Sequence, residues 1–263
     1  MSPFKNTLAA VAVLATSAVS AQNLVQNGSF DQVANSSGVL QTKTDNYGLT
    51  SARDTGNFDF HAVGWTNQDF LAIVYGSGIG DSVYPLTKGS TREDMALIGP
   101  NSPTKATNNG LPAASPAGGN YYGADAGATF AGALTQTVSG MVVGQQYTLS
   151  FWWAGAQATG ASNTAQALNM GWDVSLGSDV QASVQTNIAY KGFSGWTQAS
   201  YTFTATSASE LLSFLPTSTA GSPPMSLLDG VSIVAVPEPQ TWAMLAAGLG
   251  LVAFVQRRRS AQR

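Results

Sequence analysis

Between residues 146 and 153 the side chains alternate without a break: Tyr147, Leu149, Phe151 and Trp153 fall on one face, Gln146, Thr148, Ser150 and Trp152 on the other. A period of two suits an extended strand with one buried face, because successive side chains of a strand point to opposite sides. Residues 196–204 repeat the pattern, with Ala199, Tyr201 and Phe203 inward and Gln198, Ser200 and Thr202 outward, and 226–236 is another β-rich run. Further strands are expected at 23–25, 71–75, 134–138, 171–176 and 211–215. Between the two ends of the chain almost no segment carries an amphipathic helical period. Short strands punctuated by Gly, Ser, Asn and Pro predict an all-β sandwich. The stretch 101–120, rich in Pro, Ala, Gly and Asn, reads as a long surface loop.

Both ends depart from this pattern. Lys5 precedes an apolar run from 8 to 19, and Val19-Ser20-Ala21 offers the small residues a signal peptidase needs. Residues 1–21 are therefore expected to form a cleaved signal helix, with the mature chain starting at Gln22. At the other end Val236-Pro237-Glu238-Pro239 is followed by 14 uncharged residues, 242–255, and then Gln256-Arg257-Arg258-Arg259. The prolines remove backbone donors and fix φ, so they end the last strand before a helix begins. Fourteen helical residues span roughly 21 Å against a hydrocarbon core of about 30 Å. Snorkelling arginines and local thinning narrow that gap, so a marginal transmembrane helix stays open. With the arginines held in the cytoplasm, the positive-inside rule puts the region between the ends on the periplasmic side. One domain is expected over 22–235, followed by a sorting and membrane segment over 236–263.

Composition removes several chemistries. The chain has no cysteine, which excludes disulfides, thiolate metal sites and thiol nucleophiles. Residues 22–236 hold 13 acids against 6 bases, a net charge near −7 that argues against nucleic acid and anionic membrane surfaces as partners. His61, within Asp59-Phe60-His61-Ala62, is the single histidine, so a nucleophile–base pair would have to use it. Asp59, Asp69, Glu93 and Asp94 offer carboxylates for glycoside hydrolysis, but nothing in the sequence brings two of them together. No phosphate-binding glycine loop or zinc spacing is present. The chain is read as a non-enzyme.

Aromatic residues are the candidate binding chemistry, since sugar rings stack their C–H faces on flat side chains. Trp152 points away from the Tyr147, Leu149, Phe151 face. Trp172 and Tyr122 are candidate partners, with Tyr121, Trp196, Asp125, Asn163 and Gln198 as further contacts. Each tryptophan has the sandwich core as its alternative place.

Two resemblances add to this reading. Pro237-Glu238-Pro239, the Gly248-Leu249-Gly250-Leu251 core and the Arg257, Arg258, Arg259 cluster resemble a PEP-CTERM protein-sorting signal. That likeness implies recognition by an exosortase in the inner membrane, with cleavage near the Pro-Glu-Pro motif, in bacteria that make exopolysaccharide. The runs 23–31, Gly64-Trp65, 134–138, 144–151 and Leu228-Asp229-Gly230-Val231-Ser232 resemble the galactose-binding-like jelly roll of carbohydrate-binding modules and plant-type DUF642 proteins. That resemblance implies a structural Ca²⁺ on Asp31 and Asp229, with Gly230 standing where a second acid is usual. Two ordinary turn aspartates are the other reading of this pair. Together the two likenesses imply an exported surface or matrix protein that associates with exopolysaccharide. The alternatives are a biofilm scaffold without sugar affinity and a glycan hydrolase.

Overall fold

A computed structural model describes residues 22–51, 58–82, 84–85, 91–92, 96–127, 130–160, 168–182, 185–218, 224–237 and 239–260. The signal segment 1–21, Glu93, Asp94 and Asn163 lie outside the described residues. The strands in chain order are β1 (Val33–Asn35), β2 (Tyr47–Gly48), β3 (Phe60–Ala62), β4 (Thr66–Asn67), β5 (Ala72–Tyr75), β6 (Tyr84–Pro85), β7 (Thr91–Arg92) and β8 (Tyr121–Asp125). They continue as β9 (Leu134–Ser139), β10 (Gln146–Gln157), β11 (Leu168–Leu176), β12 (Asp179–Ala182), β13 (Thr186–Ile188), β14 (Thr197–Thr204), β15 (Ser209–Ser218) and β16 (Pro224–Ala235). One helix, α1 (Pro239–Ser260), follows.

One sheet runs β14-β10-β16-β8-β5-β2 and the other β12-β11-β15-β9-β4, with β13 also on β11; all pairings within these two sheets are antiparallel. From β8 onward the chain passes to the opposite sheet at each step except within β11, β12 and β13. That places β8-β16-β10-β14 over β9-β15-β11-β12, the double Greek key of a jelly roll. The strand read at 146–153 extends four residues further, to Gln157. The expected strand at 23–25 does not form. Leu24 instead donates one backbone hydrogen bond to Ile233 O, and Asn23 Oδ1 accepts from Val25 and Ile233 N–H.

The inward residues of β10 and β14 pack as the alternation requires, with Phe151 edge-on to Phe214 of β15 at 5.1 Å. Five rings close a cycle through the core. Phe30 lies 5.5 Å from Trp65, Trp65 6.3 Å from Phe214, Phe214 6.1 Å from Trp172, Trp172 6.2 Å from Tyr122, and Tyr122 5.6 Å from Phe30. Such tilted and edge contacts add to plain area burial. The turn that delivers Phe30 is unusual, since Asn27 and Phe30 both have positive φ, 49° and 56°. Asn27 is held there by side-chain bonds to Gln32 and Val63 carbonyls, and its own carbonyl accepts from Trp65 Nε1. Gly28 cannot be replaced, because a Cβ would collide with Val231 O.

The outer face of the β8-containing sheet is also buried. Ile73, Tyr75, Tyr121, Ala154, Ala156, Met225 and Leu227 pack there with Leu97, beneath Leu111, Phe193 and Trp196. The 101–120 segment carries no strand and contributes Leu111 to this cover, as expected of a long loop. Asn109 Nδ2 ties it to the carbonyls of Ile98 and Lys191, both at 2.8 Å.

Two residues of β15 that point to opposite faces give a test of the layering. Phe214→Ala removes a ring that touches Trp65, Phe151 and Trp172 and should lose about 3–5 kcal/mol in denaturant unfolding. Leu211→Ala, at a side chain half exposed on the outer face, should change stability by about 0.5 kcal/mol or less. Equal losses at the two positions would contradict the sandwich.

Candidate functional site

Asp31 follows Phe30 out of the turn, and Asp229 sits within β16. The fold brings both against the segment 115–120. Asp31 Oδ1 accepts the Asn120 N–H at 2.9 Å, and the Gly119 backbone lies so close that a Cβ there would collide with the carboxylate. Asp229 Oδ2 accepts the Ser115 hydroxyl, and its Oδ1 accepts the Gly230 N–H at 2.6 Å. Asp229 is fully buried, while Asp31 is exposed. Burial pushes the Asp229 carboxyl up to about 7, with the Asp31 charge adding to the rise and the Ser115 and Gly230 bonds opposing it. The two acids named from sequence are thus neighbours that pin one loop from both sides. Among the described residues no group of three or more His, Cys, Asp or Glu could hold a metal ion. A hard cation at this pair would have to complete its shell with hydroxyl and carbonyl oxygens.

The three aromatic candidates separate. Trp172 and Tyr122 are fully buried members of the ring cycle, Trp172 donating Nε1–H to Leu227 O at 3.1 Å and Tyr122 its hydroxyl to Asn67 Oδ1 at 3.0 Å. Neither offers a face to a ligand, which corrects the sequence expectation. The physical reason is register: Trp172 shares the inward side of β11 with Met170, Val174 and Leu176. Trp152 is half-buried on the outward side of β10, opposite Asp229 in the strand pairing and opposite Gln198 on the other flank. Its Cδ1 would stand 3.2 Å from a Cβ at Gly230, so the indole lies against the β16 backbone at the residue after Asp229.

The remaining sequence candidates are scattered. Tyr121 is buried beneath Trp196, edge-on at 5.5 Å. Asp125 is buried at the end of β8, where its Oδ1 accepts Gly127 N–H; burial raises it to about 6, and that hydrogen bond opposes the rise. Asp69 is buried and accepts the Leu71 and Gly132 N–H groups, the bonding of a turn-forming acid. His61 lies half-buried in β3, paired with Ala34.

Sequence reasoning missed one feature. Gly78, Gly80, Asp81, Pro100, Asn101, Leu111, Pro112, Ala113 and Tyr121 line a cavity of about 90 Å³ on the loop-covered side of the β8 sheet. Asp81 is buried, its Oδ2 accepting Asn101 N–H at 2.7 Å and its Oδ1 lying 3.4 Å from Asn101 Nδ2. The residues come from the loop after β5, the long segment before β8 and β8 itself, so no local motif announces the site.

The sorting tail begins where β16 ends. Val236 N–H bonds to Gln146 O at 2.9 Å, Pro237 is exposed, and α1 starts at Pro239. Leu249, Leu251, Val252 and Phe254 are exposed along α1, and the Arg258 guanidinium lies 4.8 Å from the Phe254 ring centre. Arg257 is exposed beside it; Glu238 and the side chain of Arg259 lie outside the described residues. No helix among the described residues is long and apolar enough to cross a membrane.

No curated protein matches the sequence. Among solved structures, TmCBM61 in complex with β-1,4-galactotriose is similar at 13% identity and TM-score 0.29, over 45% of this chain and 72% of that one. The CBM22-1–GH10 modules of xylanase 10B from Clostridium thermocellum, complexed with xylohexaose, share 13% identity at TM-score 0.30, over 47% of this chain. The match spans only 23% of that xylanase chain. The Stig cyclase Fisc from Fischerella sp. TAU shares 13% identity at TM-score 0.36, over 73% of this chain and 98% of its own. Residues 235–259 match the PEP-CTERM protein-sorting motif. The protein is therefore an all-β jelly roll carrying a C-terminal PEP-CTERM sorting motif, the mark of an exported chain sorted to the cell envelope by an exosortase.

Proposed function

We propose that this protein is a non-catalytic module that associates with exopolysaccharide at the cell surface, delivered there as a precursor held at the inner membrane by α1. The observation that carries the reading is the covalent union of the sorting motif with a sandwich that leaves the indole of Trp152 half-exposed on the outward face of β10. A half-exposed indole is suited to a saccharide, because the ring takes the C–H face of the sugar, while exposed Gln198, its partner on β14, offers an amide to the hydroxyls. Catalysis would need two carboxylates, or a nucleophile and a base, converging on one open space. The carboxylates nearest to that condition, Asp31 and Asp229, instead bond to the segment 115–120.

The Asp31 and Asp229 pair suits a structural Ca²⁺. The two acids lie within electrostatic reach of each other with one buried, and a divalent cation would neutralise the repulsion that adds to the rise at Asp229. A scaffold without sugar affinity is the second reading, favoured by the burial of Trp172 and Tyr122. The exosortase is the processing partner that the motif implies.

Three outcomes test these readings. Electrophoresis in gels containing the host exopolysaccharide should retard the wild-type protein, and Trp152→Ala should lose about 1–2 kcal/mol of binding at unchanged melting temperature. Retardation unaltered in that variant rejects Trp152, and no retardation in any glycan favours the scaffold.

Asp229, at about 7 when folded and near 3.8 when unfolded, binds more protons in the native state across that interval. Its contribution to stability is therefore fully present below pH 4 and is lost as the pH rises through 7. Calcium must displace this proton, so it should raise the melting temperature more at pH 7.5 than at pH 5, and Asp31→Ala with Asp229→Ala should remove the increment. A chelator-insensitive melting temperature at pH 7.5 would leave the pair as loop pins alone.

Full-length protein should sediment with membranes, and a chain lacking residues 237–263 should not. A truncated chain that still pelleted, or an unprocessed full-length chain in the soluble fraction, would contradict tethering by α1.

A further inference from the structure

The chain enters the sandwich and leaves it toward α1 at one and the same end. The last sandwich bond, from Val236 N–H, lands on Gln146 at the start of β10, and only Pro237 and Glu238 separate it from α1. Two extended residues reach roughly 7 Å. Whatever receives the helix is therefore held close to this end of the domain. The N-terminal side arrives at the same place: Leu24 bonds to Ile233, near the end of β16, and its side chain lies 3.9 Å from the Cβ position of Gly140.

The end itself is built from the turn between β9 and β10 and the turn between β14 and β15. They are tied by Gly140 and Met141 N–H to Ala208 O, Gly144 N–H to Ala205 O and Ala205 N–H to Gln145 O. Gly140 and Gly144 take the positive φ angles, 88° and 84°, and Val142 N–H donates to the Tyr147 hydroxyl at 2.9 Å. Between these fixed points Val142 and Val143 are 60% and 63% exposed. Neither segment 139–146 nor 205–209 contains a charged residue. Glu210, next in the chain, is buried with Oε1 taken by Thr206 and Ser207. Asp179, the first residue of β12, is an exposed charge that strand pairing also places toward this end. A turn tip in water gains nothing from two adjacent valines, whereas an uncharged cap held within a few ångströms of a bilayer gains by putting them into its interface.

We propose that this end of the sandwich rests on the phospholipid bilayer while the precursor is tethered, with Val142 and Val143 entering the interfacial layer. The inference rests on the reading that α1 is held by the membrane. Two valines are too small an anchor to act alone. They work because the tail fixes them near the surface, where the local concentration of lipid is high. The contact sets the orientation of the domain: the loops around residues 97–109, which bond to Gln157 at the far end of β10, face away from the membrane.

The absence of cysteine makes the test direct. Full-length chains carrying Val143→Cys or Asn108→Cys, each labelled with the environment-sensitive fluorophore NBD, are reconstituted into phosphatidylethanolamine/phosphatidylglycerol vesicles. Unchanged melting temperatures establish that both fold. The expected result is that both float with the vesicles. The label at 143 shifts to the blue, is quenched by spin-labelled acyl chains and resists aqueous iodide, while the label at 108 shows none of these effects. Flotation with iodide-accessible label at both positions overturns the docking and leaves tethering standing. A chain that does not float at all overturns tethering, and the docking with it.

Discussion

The cycle of Phe30, Trp65, Phe214, Trp172 and Tyr122 is the contact on which the rest of the structure depends. Its members come from the N-terminal turn, the segment before β4, and strands β15, β11 and β8, so closing it fixes both sheets and the entering chain at once. Without a disulfide available, this is where a cysteine-free exported domain holds its layers in register. The positive φ of Phe30 makes sense in the same terms. A bulky residue in the left-handed region is unfavourable alone, and it is retained here because the ring is fully buried between Trp65 and Tyr122.

The second layer depends on small residues. Ala154, Ala156 and Gly123 leave the outer face of the β8 sheet low enough for the loops to lie on it. A Cβ at Gly123 would meet Tyr75 at 2.6 Å and Leu227 at 2.9 Å. The cover then surrounds polar groups. Asp81 receives the Asn101 N–H and Asp229 the Ser115 hydroxyl, so the loops are held down by carboxylates as well as by Leu111 and Trp196. Burying these acids costs free energy unless their oxygens are bonded, and the loop donors supply those bonds.

Much of this was legible in the sequence, for identifiable reasons. Long strands with one buried face announced themselves by period two, as β10 and β14 did, while β15 and β16 were read from their β-rich composition. Trp172 was misassigned although its own strand carried the signal, since Met170, Val174 and Leu176 fall on its side at a spacing of two. Tyr121 and Tyr122 could not be resolved by pattern, because β8 is buried on both faces and adjacent tyrosines enter different layers. The two- and three-residue strands β1 to β4 are shorter than any period can register. For the candidate site, the sequence supplied Asp31, Asp229 and the outward face of Trp152, but not Ser115, Asp81 or Asn101, which lie in loops with no periodic constraint.

One residue explains why the acid and the indole meet. Across β10 and β16, Ser150 pairs with Ser232 and Trp152 with Asp229, so Gly230 and Val231 together oppose Phe151. This bulge places an extra residue in β16, with Gly230 at φ 59°. Regular alternation from Ile233 and Val231 would carry Asp229 into the core. The inserted residue reverses the phase, sending Leu228 inward to the ring cluster and turning Asp229 outward to Ser115 and the side of Trp152. Gly230 suits this role twice, because its φ is one that L residues rarely adopt and a Cβ would come within 2.9 Å of Ala117 and 3.2 Å of Trp152. A second acid at this position would therefore have disturbed the bulge that presents the first, and the glycine that departs from the expected motif is what builds the outer surface of the site.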